Sequence, residues 1–439
     1  MNLFKWSLIA KGLPINGAIR KLKLIQNLKA DALNEHNIQS AWAIFEYHRQ
    51  YNHNYKAFLE GHKIEKWADI PIWSKKNMQI PLEERLTEGI SLKKVYINNT
   101  SGSSGTPFFF AKDKAAHAMT WAVILDRFGR HKIQYGKSLQ ARFFGIPFTK
   151  KGYYKEKIKD FIASRVRFPV FDLSDPVLEL YLNRFSQKSF IYLNGYTSSL
   201  VLFAKFLIQR SIILKEVCPS LKVCITTSEI CNDLDRETLQ RGFGIPVVNE
   251  YGAAELDLIA FEDEDLDWII SCENILVEIV DENGSLLPDG QIGRILVTSL
   301  HNKAMPFIRY ELGDRGSILP QRKGIYPIIQ NLEGRTNDIA VLPSGKKSPG
   351  LTFYYISKGL LEGGGFMKEF IIRQTAIDSF HYEYVADRAL TPDEIQKVHQ
   401  MMDKYLEPGL KVSFERKDTI ERTKAGKLKH FQTDLPIQF

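Results

Sequence analysis

Between Ser189 and Val248 the chain repeats one local rhythm: a short apolar run, then a segment of helical period. SFIYLNG leads into TSSLVLFAKFLIQRSI, KVCITTSE leads into NDLDRETLQRGF, and IPVV follows. Strand-length runs alternating with helix-length amphipathic segments predict βα units in a layered α/β domain, which excludes all-helical and all-β architectures for this region.

The flanking segments read differently. Residues 1 to about 65 are rich in Leu, Ile, Ala and Lys with few breakers, predicting helices. WIISCENILVEIVDENGSLLPDGQIGRILVTSL places turn signals at Glu282-Asn283-Gly284 and Pro288-Asp289-Gly290 between short β-runs, which predicts antiparallel strands. Near the C-terminus, EFIIRQT and FHYEYVAD read as paired strands, followed by the helix LTPDEIQKVHQMMDKYL and the short strand KVSFERK. Thr391 and Glu394 form a capping-box pair around Pro392. The expected architecture is therefore a large multi-layer α/β domain with a β-rich subdomain over 1–334, and a small α+β domain over 335–439.

One stretch resists the pattern. NNTSGSSGTPFFF has the composition of a linker, yet it joins the strand-like runs Val95-Tyr96-Ile97 and Phe108-Phe109-Phe110, so it reads as a tight turn inside a core. Small residues let backbone N–H groups converge on an anion, and Thr100, Ser101, Ser103, Ser104 and Thr106 add hydroxyl donors. The Gly-Lys-Ser/Thr ending of a P-loop is replaced by Gly105-Thr106-Pro107, which removes the central lysine of a kinase or GTPase. By itself the stretch is equally a phosphate loop or a plain Gly/Ser turn.

Charge narrows the ligand only coarsely. Lys and Arg number 59 against 51 Asp and Glu, a net +8 that suits nucleotide or coenzyme A, and no basic run carries a nucleic-acid motif. Cys218, Cys224, Cys231 and Cys272 show neither CxxC nor zinc spacing, which suits reduced thiols in a cytoplasmic protein. No apolar run is long enough to span a bilayer, and Lys5 and Lys11 interrupt any signal-peptide core. Within the first thirty residues Ile15, Ile19, Leu22 and Ile25 follow helical spacing among six basic residues. A peripheral membrane contact competes there with a helix packed on its own domain, and packing is the preferred reading.

Four further stretches carry chemistry-bearing residues in Gly-containing contexts. NEYGAAE holds Glu255, FIRYELGD holds Asp314 in an expected Gly-flanked turn, GRTND holds Arg335, and RTKAGK holds Lys427. Singly, each has an ordinary explanation: a helix-terminal carboxylate, a turn, a solvated charge. Together with DIPIWSKKNM, TSGSSGTP, YLNGYTSSL and SLHNKAMPFIRYELGD, in this order, they resemble the adenylate-forming superfamily of acyl-CoA ligases, luciferases and peptide-synthetase adenylation domains. The resemblance is closest to the phenylacetate-CoA ligase-like branch with its CapK-type capsular polysaccharide members, and it runs from about residue 40 to the end.

The resemblance implies ATP-dependent activation of a carboxylate through an acyl adenylate, with coenzyme A as acceptor, or alternatively a sugar or amine in surface polysaccharide synthesis. It also implies residue roles. Thr100, Ser101, Gly102, Ser103, Ser104, Gly105 and Thr106 would handle the β- and γ-phosphates of ATP. Tyr251 and Gly252 would line the adenine and phosphate site, and Glu255 would hold Mg²⁺. Asp314 would bind the ribose hydroxyls and Arg335 would sit beside the ribose. Lys427, on a lid formed by the small domain, would bridge the carboxylate and the α-phosphate. Ala254 stands where a hydroxyl residue is usual, Asn337 where Asp is frequent, and VLPSGKKSPG, with Lys346 and Lys347, follows the pattern only loosely. A non-catalytic nucleotide-binding scaffold is the reading of another class that these departures allow.

Overall fold

In the computed structural model, the structure describes residues 2–78, 80–100, 108–145, 150–170, 173, 175–229, 231–333, 339–345, 347–349, 353, 356–357, 367–420 and 431–435. The chain divides into two compact units, one of Met1–Leu312 with Gly316–Asn331, the other of Gly313–Arg315 with Leu332–Phe439.

In the first unit the N-terminal helices are α1 (Leu3–Ala10), α2 (Ile15–Gln26), α3 (Ala30–Tyr51), α4 (His53–Phe58) and the single turn α5 (Leu82–Arg85). The α2 face that the sequence marks as apolar is packed: Ile15, Leu22 and Ile25 are buried, and the helix lies against α6 (Lys114–Arg130). Asp113 starts α6 by accepting from the Ala115 and Ala116 N–H groups.

The βα rhythm then delivers β3 (Gln140–Phe143), α7 (Lys150–Ile162), β4 (Arg165–Phe168), α8 (Asp175–Gln187), β5 (Tyr192–Tyr196), α9 (Thr197–Gln209), α10 (Leu214–Val217), β6 (Val223–Thr227), α11 (Asp233–Phe243) and β7 (Val247–Ala253). Strands β4, β3, β5, β6 and β7 pair in parallel, as helix-length crossovers require. The sheet reverses to antiparallel pairing at β8 (Asp257–Glu262) and β9 (Trp268–Ile270). It continues through β13 (Ile328–Glu333), β12 (Tyr310–Ile318), β11 (Gly293–Ser299) and β10 (Ile275–Val280), eleven strands in all. The antiparallel register of β10 on β11 is the one the turn signals predict.

Burial explains the strand composition. On one face Phe143, Phe168, Leu193, Cys224 and Val247 meet Phe185, Phe203, Leu207 and Phe243 of the covering helices. The Phe143 and Phe168 rings stack at 4.9 Å.

The flanks of the Ser/Gly stretch differ from the expected buried strands. These flanks are β1 (Tyr96–Thr100) and β2 (Phe108–Lys112), a separate two-stranded antiparallel pair that is only partly buried. Burial deepens along β2 rather than alternating: Phe109 is exposed while Phe110, Ala111 and Lys112 are buried, and Ile97, opposite Ala111, stays exposed.

In the second unit, β14 (Ile339–Val341) pairs with β15 (Lys347–Pro349). A four-stranded sheet has the order β18 (Lys411–Arg416), β17 (Ser379–Ala386), β16 (Met367–Ala376), β19 (Phe431–Thr433). Strands β16 and β17 are the antiparallel pair read from the sequence. Helix α12 (Pro392–Tyr405) bears the Thr391/Glu394 capping box and returns the chain so that β18 lies parallel to β17.

Candidate active site

The β1–β2 pair is fixed at its base from two sides. Buried Arg85 donates from Nη1 to the Phe109 carbonyl at 2.8 Å and from Nε to the Ile80 carbonyl at 3.0 Å. Asn302 donates from Nδ2 to the Ala111 carbonyl at 3.0 Å and accepts at Oδ1 from the Asp113 N–H at 3.3 Å. His48 Nε2 donates to the Asn302 carbonyl at 2.8 Å while its Nδ1 accepts from Thr87 Oγ1 at 3.2 Å, which fixes the neutral tautomer. The register ends with Thr100 opposite Phe108. Ser101, Gly102, Ser103, Ser104, Gly105 and Thr106, with the Thr100 side chain, lie outside the described residues, as do Arg335, Lys346 and Lys427.

Glu255 lies in the turn between β7 and β8, yet only 2% of it is exposed. Tyr310 donates its phenolic hydrogen to Glu255 Oε1 at 2.9 Å, and Lys75 Nζ lies 3.5 Å from the same oxygen. Three separated motifs thus converge: Lys75 from DIPIWSKKNM, Glu255 from YGAAE and Tyr310 from FIRYELGD. Backbone bonds hold the first and third together, Trp73 N–H to the Arg309 carbonyl at 3.2 Å and Glu311 N–H to the Trp73 carbonyl at 2.9 Å. The Arg in FIRYELGD is a buried strut. Arg309 donates to the Ala68, Ile70 and Gly284 carbonyls at 2.7–2.8 Å and pairs with Glu278 at 3.2 Å.

Tyr251 and Gly252 close β7, Tyr251 meeting Trp268 edge-on at 6.4 Å. Gly252 has a steric reason to be glycine, since a Cβ there would fall 2.2 Å from the Asp257 carbonyl oxygen. Asp257 itself adopts φ +61° and pairs with buried Lys112 of β2, while Thr120 Oγ1 donates to its Oδ2 at 2.8 Å. Ala254 is exposed.

Asp314 departs from expectation. It is buried in the middle of strand β12, in the second compact unit, rather than in a turn; Gly313 before it takes φ +83°. The glycine breaks strand regularity without ending the strand.

A second group of polar side chains, given no role by the resemblance, stands on the sheet face opposite the aromatic core. Register places Arg142 beside Asn194, Asn194 beside Ile225 and Ile225 beside Val248. Glu250, two residues beyond Val248, therefore points to the same side as Arg142. The Arg142 guanidinium lies 3.8 Å from the Phe144 ring centroid, makes no hydrogen bond or ion pair among the described residues, and leaves Nε buried without a partner. Among the described residues Glu250 takes one long contact, 3.5 Å from Thr227 Oγ1. Burial pushes its carboxyl up to about 7, opposed by the Arg142 charge. Two under-satisfied ionisable groups thus flank the carboxyl ends of parallel strands, where open α/β sheets bind ligands.

A sheet that turns from parallel to antiparallel at β7, followed by a small α+β unit, is the fold of the adenylate-forming enzymes. A solved structure of 2-hydroxyisobutyryl-CoA ligase in the postadenylation state, in complex with R3-HIB-AMP, matches it with a TM-score of 0.71 at 15% identity, covering 93% of this chain and 91% of that one. ATP-bound MatB from Rhodopseudomonas palustris matches with a TM-score of 0.54 at 19% identity, over 76% of this chain and 66% of its own. In sequence, the chain is similar to phenylacetate-coenzyme A ligase of Pseudomonas putida, 28% identical over 28% of this chain and 29% of the relative. It is also similar to Protein CapK of Staphylococcus aureus, 25% identical over 36% of this chain and 33% of that protein. The resemblance read from the motifs is borne out by these relatives, although the chain spans about a third or less of their length in these alignments. No protein-family model matches the chain.

Proposed function

We propose that this protein activates a carboxylic acid with ATP. A carboxylate oxygen attacks the α-phosphorus, the α–β bridging bond breaks, and pyrophosphate leaves with the bonding pair. A thiol then attacks the acyl carbon of the adenylate, AMP departs, and the thiol proton passes to solvent. Coenzyme A is the acceptor this reading favours.

The observation that carries the reading is the meeting of Lys75, Glu255 and Tyr310 beside the end of β7. Bringing a carboxylate to a phosphate is an electrostatic problem, and a buried carboxylate held by a phenol is a fitting element of its solution. One fixed carboxylate suits a magnesium ion that arrives largely bound by phosphate oxygens. Glu255 would hold that ion, whose charge when bound stabilises the developing phosphate charge. The loop Thr100 to Thr106 would hold the β- and γ-phosphates, Tyr251 and Gly252 the adenine side, Asp314 and Arg335 the ribose, and Lys427 the reacting carboxylate.

Arg142 and Glu250 would line the acyl side of the site. A partner that satisfies both carries a hydrogen-bond acceptor or anion for the guanidinium and a donor for the carboxyl. The favoured substrate is therefore a polar acid, amino- or hydroxy-substituted away from the reacting carboxylate, rather than a purely apolar one.

Pyrophosphate release with a panel of carboxylic acids tests the activity. Lys427→Ala should abolish it with ATP binding kept, and Asp314→Ala should weaken nucleotide affinity instead. Wild-type pyrophosphate exchange in the lysine variant would remove Lys427 from its role. A sugar or amine is the alternative acceptor to be tested against coenzyme A. Preformed adenylate offered coenzyme A or an amino sugar separates the two: whichever consumes it is the acceptor.

A further inference from the structure

Helices α1 and α7 pack against each other, and each turns an apolar stripe to solvent. On α1, Phe4 and Leu8 face the core, while Leu3, Trp6 and Ile9 are 47%, 58% and 42% exposed. On α7 the usual polarity is inverted. Buried Asp160 and half-buried Glu156 point inward to Arg167 of β4, at 2.9 and 2.8 Å. Tyr154, Ile158 and Phe161, at i, i+4 and i+7, are 66%, 62% and 75% exposed. A helix that hides its acids and shows its aromatics has its apolar face prepared for something other than water.

Charge identifies the occupant. Arg167 and Lys159 engage the two acids of α7. Exposed Lys11, Lys155 and Lys157 have no ion-pair partner among the described residues, and Lys157 lies over the Tyr153 ring at 5.4 Å. A second copy docked on this face would press these lysines against their own kind. An anionic lipid surface offers them phosphates and offers the Trp and Tyr rings the interfacial depth they favour. Among the described residues no helix is long and apolar enough to cross a membrane, so the contact is one of helices lying in the interface.

We infer that α1 and α7 together form a docking face for an anionic bilayer, with Trp6, Ile158 and Phe161 entering the headgroup boundary and Lys11, Lys155 and Lys157 on the lipid phosphates. This inference is independent of the proposed catalytic reading. It also uses a different surface from the α2 stripe, which is packed.

The test is co-sedimentation of the full chain with vesicles of phosphatidylcholine, with and without phosphatidylglycerol. Binding to the anionic vesicles is expected, with little to the zwitterionic ones. The triple variant Trp6→Ser, Ile158→Ser, Phe161→Ser should bind at least about tenfold more weakly, at an unchanged unfolding temperature that certifies its fold. Lys155→Gln with Lys157→Gln should lower anionic binding about fivefold or more. Leu24→Ser, exposed on α2, serves as the control and should bind as the wild type does. Three results would overturn the inference: a wild-type chain that stays in the supernatant, a triple variant that binds as well as the wild type, or a dimer that the triple substitution dissolves while vesicles capture nothing.

Discussion

The Tyr310 hydroxyl holds Glu255 at 2.9 Å from a strand that begins 55 residues after the glutamate. Removing it leaves the carboxylate with Lys75 at 3.5 Å. A hydrogen bond to a charged group contributes about 1.5–3 kcal/mol. Tyr310→Phe is therefore expected to slow adenylate formation roughly ten- to a hundredfold and to raise the magnesium concentration needed for half-maximal rate. A magnesium titration of pyrophosphate release reads both, and an unchanged titration would remove Tyr310 as a positioning residue.

Gly252→Ala drives a methyl group into the Asp257 carbonyl. The cost expected is about 1–3 kcal/mol of stability, visible as a lower denaturation midpoint. Ala254→Ser, at an exposed position two residues on, should leave the midpoint in place. Equal midpoints for Gly252→Ala and the wild type would show that the hairpin yields.

Selectivity should follow Arg142 and Glu250. The wild type is expected to turn over hydroxy- or amino-substituted acids faster than apolar acids of the same length. Arg142→Met with Glu250→Leu should shift the kcat/KM ratio toward apolar acids by about tenfold or more. A wild type that prefers the apolar acid, with a ratio the substitutions do not move, would count against the acyl-side assignment.

Arg309 and Glu278 form a buried pair in which only one partner is richly satisfied. Arg309→Met strands Glu278, whose carboxyl burial already pushes upward against the Arg309 charge. The expected loss is about 3–5 kcal/mol. Adding Glu278→Gln should restore part of it, and a double variant no better than the single would show that the arginine matters through its three carbonyl bonds instead.

Burial lowers His48, His117 and His301 to about 4. Each is neutral in the folded protein and titrates near 6.5 when unfolded. The unfolded chain therefore binds more protons between these values, so stability is full above pH 6.5 and falls as pH drops toward 4. Each histidine adds about 1.4 kcal/mol per pH unit to that slope. Unfolding temperatures from pH 7.5 to 5 should decline, and His48→Gln should flatten the decline; a flat wild-type profile would contradict the burial argument.

Much of this was readable because it is local. The capping box at Thr391 and Glu394, the strand-helix rhythm around β5 to β7, and the turn signals between β10 and β11 each rest on residues close in sequence. Asp314 was misplaced because glycine on both sides of a short polar stretch signals a turn, whereas neighbouring strands here override it. Phe108 to Phe110 are uniformly apolar and so read as core, whereas the pair lies outside the main sheet with Ile97 and Phe109 exposed. The Lys75, Glu255 and Tyr310 meeting was hidden by distance along the chain, although all three lie inside recognised motifs. Arg142 left a fainter signal, a lone charge in the strand LQARFF, and Glu250, although inside NEYGAAE, none that separates it from Glu255 beyond its parity with Val248.

The β1–β2 ribbon is tied to the rest of the first unit through the side chains of Arg85 and Asn302 and the Lys112 pair with Asp257, and not by strand pairing with the main sheet. The register of the eleven-stranded sheet is therefore set without the β1–β2 ribbon. For laboratory evolution this makes the ribbon a module: libraries at the exposed Ile97 and Phe109 can be screened while Arg85, Asn302 and Lys112 keep the scaffold intact.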